Sequence, residues 1–304
     1  MKVVFMGTPE FAVASLKKIY QSQHEILAVV TTPDKQRGRG RVVSFTAVKD
    51  FAVRYNLRLL QPDELKEKKF IEELKKLDSD LFVVVAFRIL PKEVYTIPKF
   101  GTINLHASLL PKYRGAAPIQ WALINGEKET GVTTFFIEEK VDTGNIILQE
   151  KIPIDDEDNY GTLHDKLMNL GADVVIKTID KLSSKDYKLF KQDNSLASTA
   201  PKITKEICKI NWDKSAVEIH NLVRALSPYP GAFFVHQNKQ YKIFKTRIIA
   251  DSEEFANAFK DSRFLIHNTQ LFAKTGKGIL QILEIQLEGR KRMLTEEFLR
   301  GYKL

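Results

Sequence analysis

Apolar residues in the first third of the chain fall into short runs that alternate with stretches of helical periodicity. The runs that predict β-strands are Lys2–Met6, Ile26–Val30, Leu57–Leu60, Asp80–Ala86 and Gly101–His106. Helical patterns begin at Pro9 and cover Ala47–Tyr55 and Asp63–Leu77, whereas Thr31–Arg41 is polar and indicates a loop. This alternation predicts an α/β fold with a doubly wound, Rossmann-like parallel sheet, with the apolar run Asp80–Ala86 at its centre.

The pattern changes in the last third of the chain. Val132–Ile137 and Asn145–Ile152 predict two more strands, and Gly161–Leu182 predicts a long helix. A polar stretch broken by Pro201 then leads to a predicted helix at Ala216–Leu226 and to closely spaced strands: Ala232–His236, Tyr241–Thr246, Phe264–Ile266, Gln270–Ala273 and Ile279–Ile285. Such spacing predicts a small OB-like β-barrel. We expect an α/β domain over 1–184, a linker over 185–205 and a β-barrel domain over 206–304.

Length, cysteine content and hydropathy agree with an ordinary globular protein. A chain of 304 residues suits two domains. The single cysteine, Cys208, excludes an intrachain disulfide and favours a reducing compartment, and we expect it to be a small core residue. No apolar run approaches the ~18 residues that cross a bilayer. These features predict a cytoplasmic protein, and we expect a monomer.

Positive charge is concentrated towards the C-terminus. The net charge is +9; residues 191–304 hold 19 Lys and Arg against 12 Asp and Glu, whereas the rest of the chain holds 28 against 26. A basic C-terminal part on a nearly neutral N-terminal part fits a polyanion-binding module attached to a catalytic domain. Surface lysines kept for solubility are the alternative.

Two polar residues lie at the carboxyl end of a predicted strand. Open α/β sheets bind ligands at that edge, and Asn104 and His106 point to the same face because side chains alternate along a strand. A site explains this pair better than a core does, although both could be structural residues satisfied by loop backbone. The six histidines are scattered, so the sequence does not predict a metal site.

Asp142 opens an Asp-Thr-Gly turn directly after another predicted strand. It could be only a turn residue. The alternative hypothesis pairs its carboxylate with His106, which would fix the imidazole tautomer and favour its cationic form.

The stretch INLHASLLPKYRGAAPIQWALINGEKETGVTTFFIEEKVDTGNI resembles the active-site region of the folate-dependent formyltransferases. The resemblance extends along the whole chain and includes the N-terminal MKVVFMGTPEFA, the loop PDKQRGRG and the basic β-rich tail. The loop and the tail resemble the branch of the family that acts on initiator methionyl-tRNA. The resemblance therefore implies 10-formyltetrahydrofolate as the formyl donor, that tRNA as the acceptor, and no metal.

Residue by residue, the resemblance implies Asn104, His106 and Asp142 as the catalytic trio. It assigns tetrahydrofolate binding to two segments, which are Ser108, Leu109, Leu110 and Pro111, and the strand end Phe87, Arg88, Ile89 and Leu90. One departure lies in the second segment, where the family usually has glycine after the aromatic residue. Arg88 must therefore either avoid the pterin or contact it.

The residue types suit attack of an α-amine on a formyl carbon. An α-amine has a pKa near ~8, so a neutral fraction exists at pH ~7. Asn104 and a protonated His106 can each donate to the oxyanion of the tetrahedral intermediate. Asp142, or a water that it holds, can accept the proton of the attacking amine.

A cationic arm precedes the third predicted strand. Lys35, Arg37, Arg39 and Arg41 alternate with glycine and glutamine, and we expect them to contact tRNA phosphates, with the runs Lys239–Arg247 and Gly289–Arg292 extending the surface. A solvated loop is the alternative. Phe11, beside the first turn, is a candidate wall for the methionine side chain, or a core aromatic.

Three other functions fit the sequence less completely. A formyltransferase that acts on a small amine, such as an amino-sugar nucleotide, would not need the arm or the basic tail. A folate- or RNA-binding protein without catalysis would not need the full catalytic trio. A dinucleotide-dependent dehydrogenase is excluded because no G-x-G-x-x-G follows the first strand.

Overall fold

The strands and helices follow the alternation expected from the sequence. The computed structural model describes residues 1–37, 42–250, 258–259 and 262–302. The strands among them are β1 (Lys2–Gly7), β2 (Glu25–Val30), β3 (Lys35–Arg37), β4 (Val42–Ser44), β5 (Leu59–Leu60), β6 (Leu81–Val85), β7 (Thr102–His106), β8 (Arg114–Gly115), β9 (Glu129–Phe136), β10 (Ile146–Pro153), β11 (Thr199–Ala200), β12 (Ala232–His236), β13 (Lys239–Ile249), β14 (Phe264–His267), β15 (Gln270–Lys274), β16 (Ile279–Leu287) and β17 (Met293–Leu294). The helices are α1 (Glu10–Tyr20), α2 (Ala47–Arg54), α3 (Lys68–Lys76), α4 (Lys92–Tyr95), α5 (Pro118–Ile124), α6 (Tyr160–Ser184), α7 (Ala216–Ala225) and α8 (Thr295–Gly301), with one 3-10 turn at Asn194–Leu196.

The main sheet is of the mixed, mostly parallel type. Its strand order is β10-β9-β7-β6-β1-β2-β5. Strands β5, β2, β1, β6 and β7 pair in parallel, and β9 runs antiparallel to β7. Every residue of β6 is buried, as expected for a central strand. The Rossmann-like prediction is confirmed.

Alternate residues of the central strands form one core beneath a helix. Val4 and Met6 of β1 and Phe82 and Val84 of β6 share this core with buried side chains of α3, which are Phe70 and Leu74. The period of two along each strand sends these residues to the same face. Apart from the exposed Lys2, the other residues of the two strands are buried as well, because the sheet is covered on both sides.

The second sheet is antiparallel and has six strands. Its order is β12-β13-β16-β15-β14, with β17 paired to β16. Residues of α7 and α8, among them Ile219, Val223 and Phe298, pack into its core. Cys208 lies in the same core, where burial raises the pKa of its thiol, in agreement with the expected structural role.

The two compact units of the chain interleave along the sequence. One comprises Met1–Gly115, Glu129–Ile152 and His164–Ala200; the other comprises Ala116–Lys128, Pro153–Leu163 and Pro201–Leu304. Helix α5 and the segment before α6 thus belong to the unit that holds the antiparallel sheet. Domain boundaries at 184 and 206 stay a prediction. None of the described helices is long and apolar enough to span a membrane.

Two local predictions were wrong. The helix expected at Asp63–Leu77 is only Lys68–Lys76, because the carbonyl oxygens of Pro62 and Asp63 accept hydrogen bonds from Arg88 rather than from a first helical turn. The expected loop at Thr31–Arg41 includes β3, which pairs antiparallel with β4. The described residues of that segment therefore contribute one strand of a small sheet in addition to a loop.

Candidate active site

Asn104 and His106 lie where the sequence places them, on one face of β7 near its carboxyl end. In register, Asn104 is opposite Val84 of β6, and His106 is opposite Thr133 of β9. His106 is buried, whereas Asn104 is partly exposed. The Asn104 side chain has no hydrogen-bond partner among the described residues. Its amide N–H groups are therefore available to an oxygen of a bound substrate.

The His106 ring is held between a carbonyl and a carboxylate. Its Nε2 atom lies 2.8 Å from the carbonyl oxygen of Tyr113. Because a carbonyl only accepts, Nε2 must carry a proton, which leaves Nδ1 to face Asp142. The distance from Nδ1 to Oδ2 of Asp142 is 3.8 Å, and both side chains are nearly buried. This is an ion-pair distance when the imidazole is protonated, and it is longer than a direct hydrogen bond.

Asp142 sits in the loop between β9 and β10. Its φ of 55° is in the left-handed region, which aspartate tolerates better than most residues. The backbone N–H of Gly115 donates to its Oδ2 atom over 2.9 Å. The structure therefore brings Asn104, His106 and Asp142 to one edge of the sheet, with the carboxylate anchored by a main-chain donor.

The Ser108–Pro111 segment is buttressed by residues that the sequence did not single out. The Thr133 hydroxyl donates to the carbonyl oxygen of Ser108 over 2.6 Å and accepts from the Leu110 N–H, and Gln149 donates to the carbonyl oxygen of Leu110 over 2.9 Å. The Ser108 hydroxyl is itself bonded to the Lys112 carbonyl. The buried Ser108 and Leu110 thus shape the turn, whereas Leu109 and Pro111 are partly exposed.

The Arg88 side chain is bonded to the main chain of Pro62 and Asp63. Its two terminal nitrogens donate to the carbonyl oxygens of Pro62 and Asp63, each over 2.8 Å, and its guanidinium lies 5.3 Å from the centre of the Phe87 ring. Burial lowers the pKa of this guanidinium from its ordinary value. In the same segment, Ile89 is highly exposed and Leu90 is buried.

The remaining site residues are distributed as follows. The backbone of Lys35 and Arg37 forms β3, whereas Arg39 and Arg41 lie outside the described residues. Phe11 is buried, and its ring packs edge-on against His164 at 5.2 Å, which gives it a packing role at the start of α1. The described residues contain no group of three histidine, cysteine or acidic side chains with the geometry of a metal site.

Gln192 is the functional candidate that sequence reasoning missed. It lies in the stretch interpreted as a linker, yet it is buried and its side chain bonds to the carbonyl oxygens of Asp142 and Gly144. No periodicity or motif marks it. Its isolated position in a polar stretch of small and charged residues offered no local signal.

Comparison with known proteins identifies the family of the chain. Residues 1–179 match the formyl transferase family, and residues 202–303 match the formyl transferase C-terminal domain. The chain belongs to the formyl transferase family, whose members use folate-derived formyl donors. Its full-length relatives include methionyl-tRNA formyltransferases from Caldanaerobacter subterraneus subsp. tengcongensis, with 48% identity over 100% of this chain and 98% of the relative, and from Flavobacterium johnsoniae, with 46% identity over 99% and 96%.

Solved structures show the same fold at greater distance. A sugar 3N-formyl transferase, determined in the presence of dTDP and 5-N-formyl-THF, matches with a TM-score of 0.69 and 24% identity over 96% of this chain and 99% of that one. An N-formyltransferase from Helicobacter canadensis, in complex with folinic acid and dTDP-3-aminofucose, matches with a TM-score of 0.67 and 24% identity over 96% and 100%. At this identity the likeness concerns the fold alone.

Proposed function

We propose that the chain transfers the formyl group of 10-formyltetrahydrofolate to the α-amino group of methionyl-initiator tRNA. The observation that carries the proposal is the convergence of a free Asn104 amide, an oriented His106 ring and an anchored Asp142 carboxylate. The similarity of 41–48% over the whole chain to methionyl-tRNA formyltransferases supports the acceptor. A small-amine acceptor is less well supported, because the two sugar formyltransferase structures described above share only 24% identity with this chain.

Each residue of the trio has one task in the transfer. The amine nitrogen bonds to the formyl carbon, and the bond from that carbon to the folate nitrogen breaks. The Asn104 amide and the Nδ1–H of a protonated His106 donate to the formyl oxygen while it carries negative charge, since the Nε2–H is already bonded to the Tyr113 carbonyl. Loss of one such donor typically costs about 10²–10³ in rate. Asp142, directly or through a water, accepts the proton of the amine, and a proton returns to the folate nitrogen as it leaves.

The folate donor is expected at the two segments around the trio. The turn Ser108–Pro111, supported by Thr133, offers partly exposed apolar side chains beside β7. The segment Phe87–Leu90 follows the neighbouring strand β6, so both segments lie at the carboxyl edge of the sheet. Arg88 supports the segment from behind through the Pro62 and Asp63 carbonyls rather than by contacting the donor.

The tRNA is expected to use cations outside the trio. Lys35, Arg37, Arg39 and Arg41 would contact phosphates near the acceptor end, and the basic C-terminal region would extend that surface. Phe11 is a weaker proposal for the methionine pocket, since its ring is largely buried. We also propose that the protein acts as a cytoplasmic monomer.

The test is direct formylation. The purified chain is incubated with 10-formyltetrahydrofolate and methionine-charged initiator tRNA, and separately with an amino-sugar nucleotide; formylated product is expected only from the tRNA. His106→Ala and Asp142→Ala should each abolish most turnover while the chain still folds, whereas Asp186→Ala, an exposed carboxylate outside the site, should be active. Wild-type turnover by either site variant would refute the assignment.

A further inference from the structure

The buried Gln192 side chain is hydrogen-bonded to the loop that carries Asp142. Its Nε2 atom donates to the carbonyl oxygen of Asp142 over 2.9 Å and to that of Gly144 over 2.8 Å, and the residue is only 6% exposed. A primary amide has two N–H donors, and both are used here. The two bonds hold the main chain on either side of Thr143.

Arg114 fixes the orientation of this amide. The Oε1 atom of Gln192 accepts from Nε of Arg114 over 3.1 Å and from Nη2 over 2.7 Å, and Nη2 also donates to Oδ1 of Asn194 over 2.9 Å. A guanidinium only donates, so the amide oxygen must face it and the NH₂ group must face the two carbonyls. Only this orientation of the amide gives a hydrogen-bond partner to both its oxygen and its NH₂ group.

The loop held by Gln192 departs from regular strand geometry. Asp142 adopts a left-handed φ of 55°, and a side chain at position 144 would collide with the Phe136 carbonyl. The carbonyl oxygens of Asp142 and Gly144 lie outside β9 and β10 and depend on a donor from elsewhere. Gln192 supplies that donor for both.

The Arg114–Gly115 dipeptide acts on Asp142 from two directions. The Gly115 N–H holds the carboxylate through Oδ2, while the Arg114 side chain acts on the Asp142 backbone through Gln192. The same carboxylate oxygen lies 3.8 Å from Nδ1 of His106. A shift of the loop would therefore alter the distance from the carboxylate to the imidazole and to the attacking amine.

We propose that Gln192, oriented by Arg114, is a positioning residue that sets the Asp142 carboxylate for proton transfer. The kinetic half of its test rests on the proposed formyl transfer; the structural half does not. Misplacement of a reacting group by about 1 Å costs up to ~10²-fold in rate. Loss of Gln192 is therefore expected to act on kcat and to leave the KM of both substrates nearly unchanged.

The kinetic experiment uses the full chain with Gln192→Leu and Gln192→Glu. Both variants lose the two N–H donors of the amide. Gln192→Glu keeps an oxygen that can accept from Arg114, so it serves as the second variant if Gln192→Leu folds poorly. We expect kcat to fall about 10–100-fold in each. In an Asp142→Asn background, measured by single turnover, Gln192→Leu should cause no further loss, because its effect passes through the carboxylate. Gln23→Leu is the matched control, because Gln23 is an exposed glutamine whose side chain bonds to Asp180, outside the site.

The structural experiment follows the Gly115 amide by NMR hydrogen exchange. Its N–H is bonded to Asp142, so exchange should quicken about tenfold in Gln192→Leu and stay unchanged in Gln23→Leu. Unchanged kcat and unchanged Gly115 exchange would overturn the proposal, as would an equal further loss of kcat in the Asp142→Asn background. If the wild-type chain fails to formylate methionyl-tRNA, the proposed function fails, and the exchange result still decides whether Gln192 positions Asp142.

Discussion

The backbone N–H of Gly115 donates to the Oδ2 atom of Asp142 over 2.9 Å, so a glycine main chain anchors the carboxylate of the site. The φ of Gly115 is +125°, a region that residues with a side chain rarely adopt. A Cβ atom there would lie 2.7 Å from the carbonyl oxygen of Ala200. The pairing of β8 with β11 thus depends on glycine at this point.

Gly115→Ala is expected to damage both stability and turnover. The new methyl must push the Ala200 backbone away, and the free energy of unfolding should fall by about 1–3 kcal/mol. The displaced N–H should lower kcat by about tenfold or more. Denaturant unfolding and steady-state kinetics measure the two effects. Gly301→Ala is the control, because nothing lies within 4 Å of the added Cβ. Its free energy of unfolding should be at least that of the wild type.

The positions of Asn104, His106 and Asp142 could be predicted because each of these residues carries a local signal. Asn104 and His106 alternate at a strand end, and Asp142 opens a turn signal after a strand. Gln192, by contrast, lies 50 residues from Asp142 along the chain, and Thr133 and Gln149 are joined by a bond across 16 residues. Such hydrogen bonds arise from tertiary packing and leave no periodicity, so the sequence could not indicate them.

The errors in the fold have the same origin. Asp63–Leu77 has helical periodicity, but the Arg88 guanidinium takes the carbonyl oxygens of Pro62 and Asp63, and the helix begins only at Lys68. Short elements such as β8 and β11, with two residues each, are too brief to form a pattern. The long apolar runs, which lie in the sheet core, were predictable because burial alone determines them.

Arg88→Met tests whether this arginine supports the fold or binds the donor. The variant loses two hydrogen bonds from a charged group to the carbonyl oxygens of Pro62 and Asp63, and the free energy of unfolding should fall by about 1–3 kcal/mol. The KM for 10-formyltetrahydrofolate should change little. Arg300→Met, which breaks an exposed pair with Glu296, should cost less than ~0.5 kcal/mol. A large rise in KM without loss of stability would assign Arg88 to the donor instead.

The capping box of α7 predicts a pH-dependent contribution to stability. Backbone and side-chain hydrogen bonds from Ser215, together with Lys214, lower the pKa of Glu218 from 4.5 to about 2. A carboxyl with a depressed folded-state pKa stabilises the protein above its unfolded value, and this contribution disappears as the pH falls from 4.5 towards 2. The melting temperature of Glu218→Gln should therefore lie below that of the wild type at neutral pH and approach it in acid. Glu72→Gln, which changes an exposed carboxyl elsewhere, is the control, and the difference between its melting temperature and that of the wild type should not depend on pH in this way. A gap that stays constant down to the acid limit would contradict the assignment.

The salt dependence of tRNA binding tests the cationic arm and, with it, the acceptor. Each phosphate that a lysine or arginine neutralises contributes about −0.7 to −0.9 to the slope of log affinity against log salt. The double variant Lys35→Ala, Arg37→Ala removes two charges at β3 and should reduce the magnitude of that slope by up to ~1.8, with kcat at saturating tRNA nearly unchanged. Lys75→Ala, Lys76→Ala removes the same charge from the end of α3 and is the control, for which the slope should stay that of the wild type. Equal slopes for both double variants would show that the arm does not contact phosphate, because the loss of net charge is the same in each and only the place of the charge differs.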